Sequence, residues 1–227
     1  MSIRAVVFDF GGVILTSPFE AFARYEAEAG LPPGFIRQLN ATNPDSNAWA
    51  RLERSEVDVA GFVELFEAEA AAAGHRVDGD AVLACLSGRL RPEMVEALRR
   101  CHERLSTALL TNNFVAGGRG DGAGPGTDHG PSTDGPHAPG RFAEVLEHFD
   151  VIVESSQVGL RKPDPAIYRL VCEKLGVEPH EAVFLDDLGV NLKPARAMGM
   201  TTIKVVDPHD ALRELEAVVG FPLLDPA

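Results

Sequence analysis

Cysteine is scarce in this 227-residue chain: Cys85, Cys101 and Cys172 are an odd number, far apart and without a CxxC spacing. A disulfide framework is therefore not required, a zinc site is disfavoured, and reduced structural thiols are the expectation. Long hydrophobic runs are missing too. Stretches such as Ala5 to Phe8 and Ala108 to Leu110 fall far short of the roughly 20 residues that a membrane-spanning helix needs. The N-terminal MSIRAVVFDFGG carries one Arg before a short apolar run, without the hydrophobic region or small-residue cleavage site of a secretory signal. A cytoplasmic protein with no membrane partner is expected. Positive charge is in deficit: 21 Lys and Arg against 34 Asp and Glu leave a formal charge of -13. A field of that sign repels nucleic acid, so no nucleic-acid partner is expected. An anionic substrate would have to be held by a local set of donors.

What is present is a regular alternation of buried strands and amphipathic helices. Ile3 to Phe8, Thr107 to Leu110, Val151 to Glu154, Ala182 to Leu185 and Thr202 to Val206 read as strands. Their near-continuous Val, Ile, Leu and Phe content suits strands covered on both faces. Helical spacing marks Pro92 to Leu105, Pro165 to Leu175, Leu192 to Met198 and Asp210 to Val219. The expected fold is therefore α/β, a doubly wound parallel sheet. Between the first two strands, Pro18 to Ala29, Asp58 to Ala73 and Asp80 to Leu90 are helical in pattern, with no convincing strand among them. The expected organisation is a core of residues 1–15 and 91–227 with an inserted all-helical cap of residues 16–90. Within the core, Ala116 to Gly140 is mostly Gly, Pro, Asp, Ser and Thr, a composition that cannot offset its own ordering entropy, so a disordered loop is expected. Its His129 and His137 are expected to be solvent-exposed bystanders, and single Trp49 a core anchor of the helical segment.

Three acidic residues stand at the ends of buried strands: Asp9 after the first, Asp186 and Asp187 after the fourth. In an open parallel sheet the carboxyl ends of the strands form the ligand crevice, so these three converge there. Any one alone reads as a turn or helix cap. Three together repel one another unless a cation sits among them, and a hard oxygen cluster suits magnesium. Thr111 and Asn112 follow the second strand, and Lys162 lies beyond the third. A hydroxyl, backbone amides and an ammonium are the donors needed to hold a phosphoryl group and neutralise its charge.

The segments FDFGGVI, LLTNN, the lysine of GLRKPDPAIY and FLDDLGVN stand in the order of the four motifs of the haloacid dehalogenase-like hydrolases, and the resemblance runs from Ile3 to about Pro208. VIVESSQVGLRKPDPAIY and VFLDDLGVNLKPARAMGM resemble in particular the phosphatase-like N-terminal domains of soluble epoxide hydrolase and acyl-CoA dehydrogenase family member 10. The resemblance implies a magnesium-dependent phosphatase or phosphotransferase, acting on a small phosphorylated metabolite as a monomer or homodimer. It implies Asp9 as the nucleophile forming an aspartyl-phosphate, Thr111 and the Asn112 amide as phosphate holders with Asn113 beside them, and Lys162 as the neutralising cation. Asp187 resembles the direct metal ligand, Asp186 the holder of a metal-bound water, and Asn191 a support for the lysine or the metal shell. The departure is Gly11, where most family phosphatases carry a second aspartate that protonates the leaving group. Glycine keeps the metal-binding carbonyl and loses the carboxyl. Two alternatives follow: a dehalogenase-type hydrolase, which lacks that aspartate and needs no metal, or a catalytically weak binding module.

Overall fold

In the computed structural model, residues 2–113 and 142–224 are described; the Gly- and Pro-rich tract with His129 and His137 lies outside them. Five strands, β1 (Ala5–Phe8), β2 (Ser106–Thr111), β3 (Val151–Glu154), β4 (Ala182–Asp186) and β5 (Thr201–Lys204), form one sheet in the order β3-β2-β1-β4-β5, all pairs parallel. The helices in chain order are α1 (Phe19–Glu28), α2 (Phe35–Ala41), α3 (Ala48–Glu53), α4 (Val59–Ala72), α5 (Gly79–Ala84), α6 (Pro92–His102), α7 (Ala143–Leu146), α8 (Ser155–Val158), α9 (Pro165–Leu175), α10 (Gly189–Ala197) and α11 (Pro208–Val219).

Alternation along the central strands builds two cores. Val6, Phe8, Val183 and Leu185 pack with Met94, Leu98 and Cys101 of α6 and Leu212 and Leu215 of α11. Ala5, Val7, Ala182 and Phe184 pack on the other face with Ile167, Tyr168 and Val171 of α9 and Leu192 of α10. Both sheet faces are covered, which is why the strands read as apolar runs rather than alternating ones. Local chemistry sets the helix starts. Asp164 caps α9 through Ala166 N (2.8 Å) and Asp207 caps α11 through Asp210 N (3.0 Å), each followed by a first-turn proline. Burial pushes the Cys101 and Cys172 thiols up to about 12 and about 11, consistent with packing roles.

The chain forms two compact units, one comprising Met1–Ser17, Gly88–Asn112 and Glu144–Ala227, the other built on Pro18–Ser87. The second has its own core of Phe22, Phe35, Ile36, Trp49, Phe62 and Phe66, with Trp49 4.6 Å from Phe62 between ring centroids. Two of its helices, α2 and α3, are absent from the sequence pattern. They are too short to show a period, and α2 is capped from a distance: the buried Glu26 carboxylate accepts from Gly34 N (2.7 Å) and Ile36 N (2.8 Å). The helix expected over Asp80 to Leu90 ends at Ala84. Leu90 instead pairs antiparallel with Leu15, and Thr16 N donates to Arg89 O at 2.8 Å, so both flanks of the helical segment belong to the first unit. Gly88 permits this approach, since a Cβ there would lie 2.8 Å from Leu15 Cβ. Among the described residues no helix is long and apolar enough to cross a membrane.

Candidate active site

The strand order reverses direction at β1, and the crevice outside the carboxyl ends of β1 and β4 is where such a sheet binds ligands. Phe8 lies opposite Leu185, and Asp9 N donates to Leu185 O at 2.9 Å, which puts Asp9 beside the end of β4. Asp186 is the last residue of β4 rather than the first beyond it, and Asp187 follows. Between β3 and α9, the loop sends Lys162 inward until only 1% of it is exposed. Its Nζ lies 2.8 Å from Asp9 Oδ1 and 2.8 Å from Asp186 Oδ2, with the Phe184 ring centroid 5.5 Å away.

Asp186 is wholly buried and its oxygens are heavily used. Besides Lys162, Oδ1 accepts from Leu188 N (2.8 Å), and Asn191 Nδ2 donates to both oxygens (3.1 and 3.0 Å). Asn191 sits in the first turn of α10, and the buried Tyr168 hydroxyl donates to its carbonyl at 2.7 Å. Asp9 is used differently. Its Oδ1 takes both Lys162 and Phe10 N (2.7 Å), while among the described residues no hydrogen bond or ion pair uses Oδ2.

Electrostatics divide the three carboxylates. Burial pushes Asp9 up to about 7; Lys162 pulls it down, and Asp186 and Asp187 add to the rise. Asp187 is raised to about 6, by burial first and then by Asp186. For Lys162, burial works against the charge, but Asp186 and Asp9 outweigh it and hold the ammonium above its ordinary range. A carboxylate oxygen from each of Asp9, Asp186 and Asp187 lies within 4.8 Å of the others, a grouping that no other acidic, His or Cys cluster matches among the described residues. An all-oxygen donor set, in which Asp9 and Asp187 are raised by burial and then by neighbouring carboxylate charge, fits a hard divalent cation.

One small residue makes room for that arrangement. A Cβ on Gly12 would fall 2.2 Å from Asp187 Oδ2 and 2.4 Å from its Cγ, and Gly12 has φ +77°, in the left-handed region. Ser17 Oγ is 3.5 Å from Asp187 Oδ2. The Gly-Gly pair was visible after Asp9, but its reason depends on a carboxylate from the far end of the chain. Gly11 differs: it has φ -69° and ψ 128°, and a Cβ there would meet nothing within 4 Å. Thr111, buried at the end of β2, and partly buried Asn112 follow the same edge of the sheet, with partly buried Asn113 next in the chain. The Asn112 side chain turns to the backbone of Lys162, a contact the sequence does not signal. Trp49 lies in the core of the helical unit, 8% exposed.

Comparison with known proteins assigns the family. The chain is 36% identical over 229 residues to acyl-CoA dehydrogenase family member 10 of Mus musculus, covering 98% of this chain and 20% of that protein. It is 35% identical over 236 residues to bifunctional epoxide hydrolase 2 of Sus scrofa, covering 99% of this chain and 40% of that protein. The chain thus spans only a fifth to two fifths of the length of these curated relatives. Among solved structures, a dehalogenase with an intermediate complex superposes with a TM-score of 0.65 at 20% identity, covering 96% of this chain and 97% of the other. The HAD family enzyme bt-2542 of Bacteroides thetaiotaomicron, in complex with magnesium and inorganic phosphate, gives 0.57 at 19% identity over 89% and 94%. These likenesses, both below 25% identity, support the fold. A family model for haloacid dehalogenase-like hydrolases matches residues 3–199, most of the chain, and with relatives above 30% identity covering 98% and 99% of it the chain belongs to that family.

Proposed function

We propose that the chain is a magnesium-dependent phosphatase or phosphotransferase that transfers the phosphoryl group of a small cytoplasmic metabolite through an aspartyl-phosphate on Asp9. The observation that carries this is the cluster of Asp9, Asp186 and Asp187 within 4.8 Å, bridged at two members by buried Lys162. Halide displacement from carbon needs no such acidic set, so the cluster favours phosphoryl transfer over dehalogenation. Asp9, Asp187 and the Gly11 carbonyl would hold the magnesium, with Asp186 in support. When bound, the ion would offset the repulsion between a phosphate and the carboxylate that attacks it.

The chain's own residues account for the rest. Asp9 Oδ2, which takes no hydrogen bond or ion pair from the described residues, is the attacking atom: a bond forms from Oδ2 to phosphorus as the bond to the leaving oxygen breaks. Lys162 anchors Oδ1, orients the carboxylate and offsets charge on the transferred group. Thr111 and the amides of Asn112 and Asn113 are the donors for the phosphoryl oxygens. Asn191 fixes Asp186, and Asp186 in turn fixes Lys162. Gly11 has no carboxyl, so the leaving oxygen must take its proton from another group, from solvent or from the substrate. Water then attacks phosphorus, the Oδ2–P bond breaks, and a proton of the water passes to the departing phosphate or to solvent, which frees phosphate and restores the Asp9 carboxylate.

The test is multiple turnover of purified protein on a panel of metabolite, aryl and acyl phosphates with magnesium or with EDTA, beside a 2-haloacid panel read by halide release. Magnesium-dependent phosphate release that Asp9→Asn abolishes is expected. Undiminished hydrolysis by Asp9→Asn or by metal-stripped protein would rule out the mechanism, and halide release without magnesium would move the assignment to a dehalogenase.

A further inference from the structure

Lys162 carries the heaviest electrostatic duty in the site, yet it stands on a loop. Gly159, in the left-handed conformation, ends α8 before it, and the Asp164 cap of α9 begins just after it. No strand ladder fixes its backbone, and the residue that follows, Pro163, has no N–H to contribute. The side chain is nevertheless confined to 2.8 Å from each of two carboxylates. Something must hold its Cα.

The Asn112 side chain meets both polar groups of Lys162's backbone. Its Oδ1 accepts from Lys162 N at 2.8 Å and its Nδ2 donates to Lys162 O at 3.0 Å. The two contacts use the carboxamide as a matched pair, with the oxygen facing the N–H and the nitrogen facing the carbonyl. Only an amide of this length offers both polarities at this spacing. A serine would reach one group. An aspartate would keep the acceptor but set a carboxylate against the carbonyl. Asn112 sits immediately after β2, so the clamp ties the lysine loop to the rigid sheet at the edge where Asp9 and Asp186 emerge.

We propose that Asn112 is a positioning residue: its side chain fixes the backbone of Lys162 and so the place of the ammonium between Asp9 and Asp186, while only its backbone amide faces phosphate. This rests on the phosphoryl-transfer assignment for its catalytic consequence, but not for the clamp itself. Because a misplacement of about 1 Å in a catalytic group can cost about 100-fold, loss of the clamp is expected to lower kcat about 10- to 100-fold. KM should stay within about twofold, since an interaction acting on the transition state leaves ground-state binding alone.

Two variants test it. Asn112→Leu keeps approximate shape and removes both hydrogen bonds; Asn112→Asp keeps the acceptor and removes the donor, and serves as well if the leucine variant does not fold. The first readout needs no turnover: hydrogen exchange of the Lys162 ammonium in magnesium-free, 15N-lysine-labelled protein, its signal identified by its loss in Lys162→Met. Exchange at least tenfold faster in the leucine variant, with a smaller change in the aspartate variant, is expected. An unchanged Lys162 signal in a folded variant overturns the proposal. The second readout is the split between kcat and KM: a lower kcat at constant KM supports positioning, and a raised KM at constant kcat overturns it by making the side chain a phosphate ligand. If wild type turns over no phosphate, the assignment above fails, and the ammonium exchange alone decides the role of Asn112.

Discussion

Replacing Lys162 with Met keeps most of the side-chain volume and the apolar stem beside Phe184 but deletes the ammonium. In wild type that group is buried and 2.8 Å from both Asp9 and Asp186. Without it, three carboxylates face one another within 4.8 Å with no cationic side chain of the described residues ion-paired to them. Removing one partner of a buried ion pair costs about 3–5 kcal/mol, because the remaining charge is left uncompensated. At about 2–4 °C per kcal/mol for a protein of this size, Tm should fall by about 6–20 °C in metal-free buffer. The loss has a definite pH dependence. Burial already raises Asp9 to about 7, and Lys162 is the largest influence holding it there, so its removal raises Asp9 further. A carboxyl whose folded pKa exceeds its unfolded value contributes stability that is complete below the unfolded value and is lost as pH rises through the folded one. In wild type that decline levels off above about 7; in the variant it continues. The gap between the two proteins should therefore widen with pH, by up to about 1.4 kcal/mol per unit for each carboxyl still titrating. Thermal melts followed by circular dichroism in EDTA at pH 5, 6, 7 and 8 measure it. Adding Asp186→Asn should recover part of the loss. A Tm decrease below about 3 °C at pH 8, or the same decrease at pH 5 and pH 8, would refute the reasoning.

Three further outcomes are expected. Magnesium must displace protons from Asp9, raised to about 7, and Asp187, raised to about 6. Affinity by calorimetry should thus fall as pH drops from 8 to 6, approaching tenfold per unit for each proton displaced; affinity constant over that range would contradict the cation site. Gly12→Ala places a Cβ 2.2 Å from Asp187 Oδ2 and strains a φ of +77°, so magnesium affinity should drop about 10- to 100-fold, and unchanged binding would show that Asp187 is not a ligand. Gly11→Asp meets open space at an ordinary φ and ψ, so Tm should move by less than about 2 °C. It should raise single-turnover cleavage of alkyl phosphates about 100- to 10,000-fold while leaving aryl phosphates little changed; a wild type that already cleaves both classes equally fast would show that no acid is missing.

The sequence by itself determined the architecture and the family. Strand runs such as Ala182 to Leu185 are apolar because both sheet faces are covered, and helix starts such as Asp164-Pro165 are written in capping residues and proline, so local pattern and burial agree. It also placed Asp9, Asp186, Asp187, Lys162 and Asn191 in motif order. Long-range contacts were not legible. The cap that Glu26 supplies to α2 and the pairing of Leu15 with Leu90 depend on residues far apart in the chain, where no periodicity can report them. The same holds inside the site. Only the tertiary structure decided that Gly12 must lack a Cβ because Asp187 occupies its space, whereas Gly11 faces open space. It alone divided the carboxylates, engaging both oxygens of Asp186 while the described donors to Asp9 meet its Oδ1, and turned Asn112 toward the Lys162 backbone. Sequence fixes which groups are available; the register of β1 against β4 and the course of the Lys162 loop decide which oxygen each group meets.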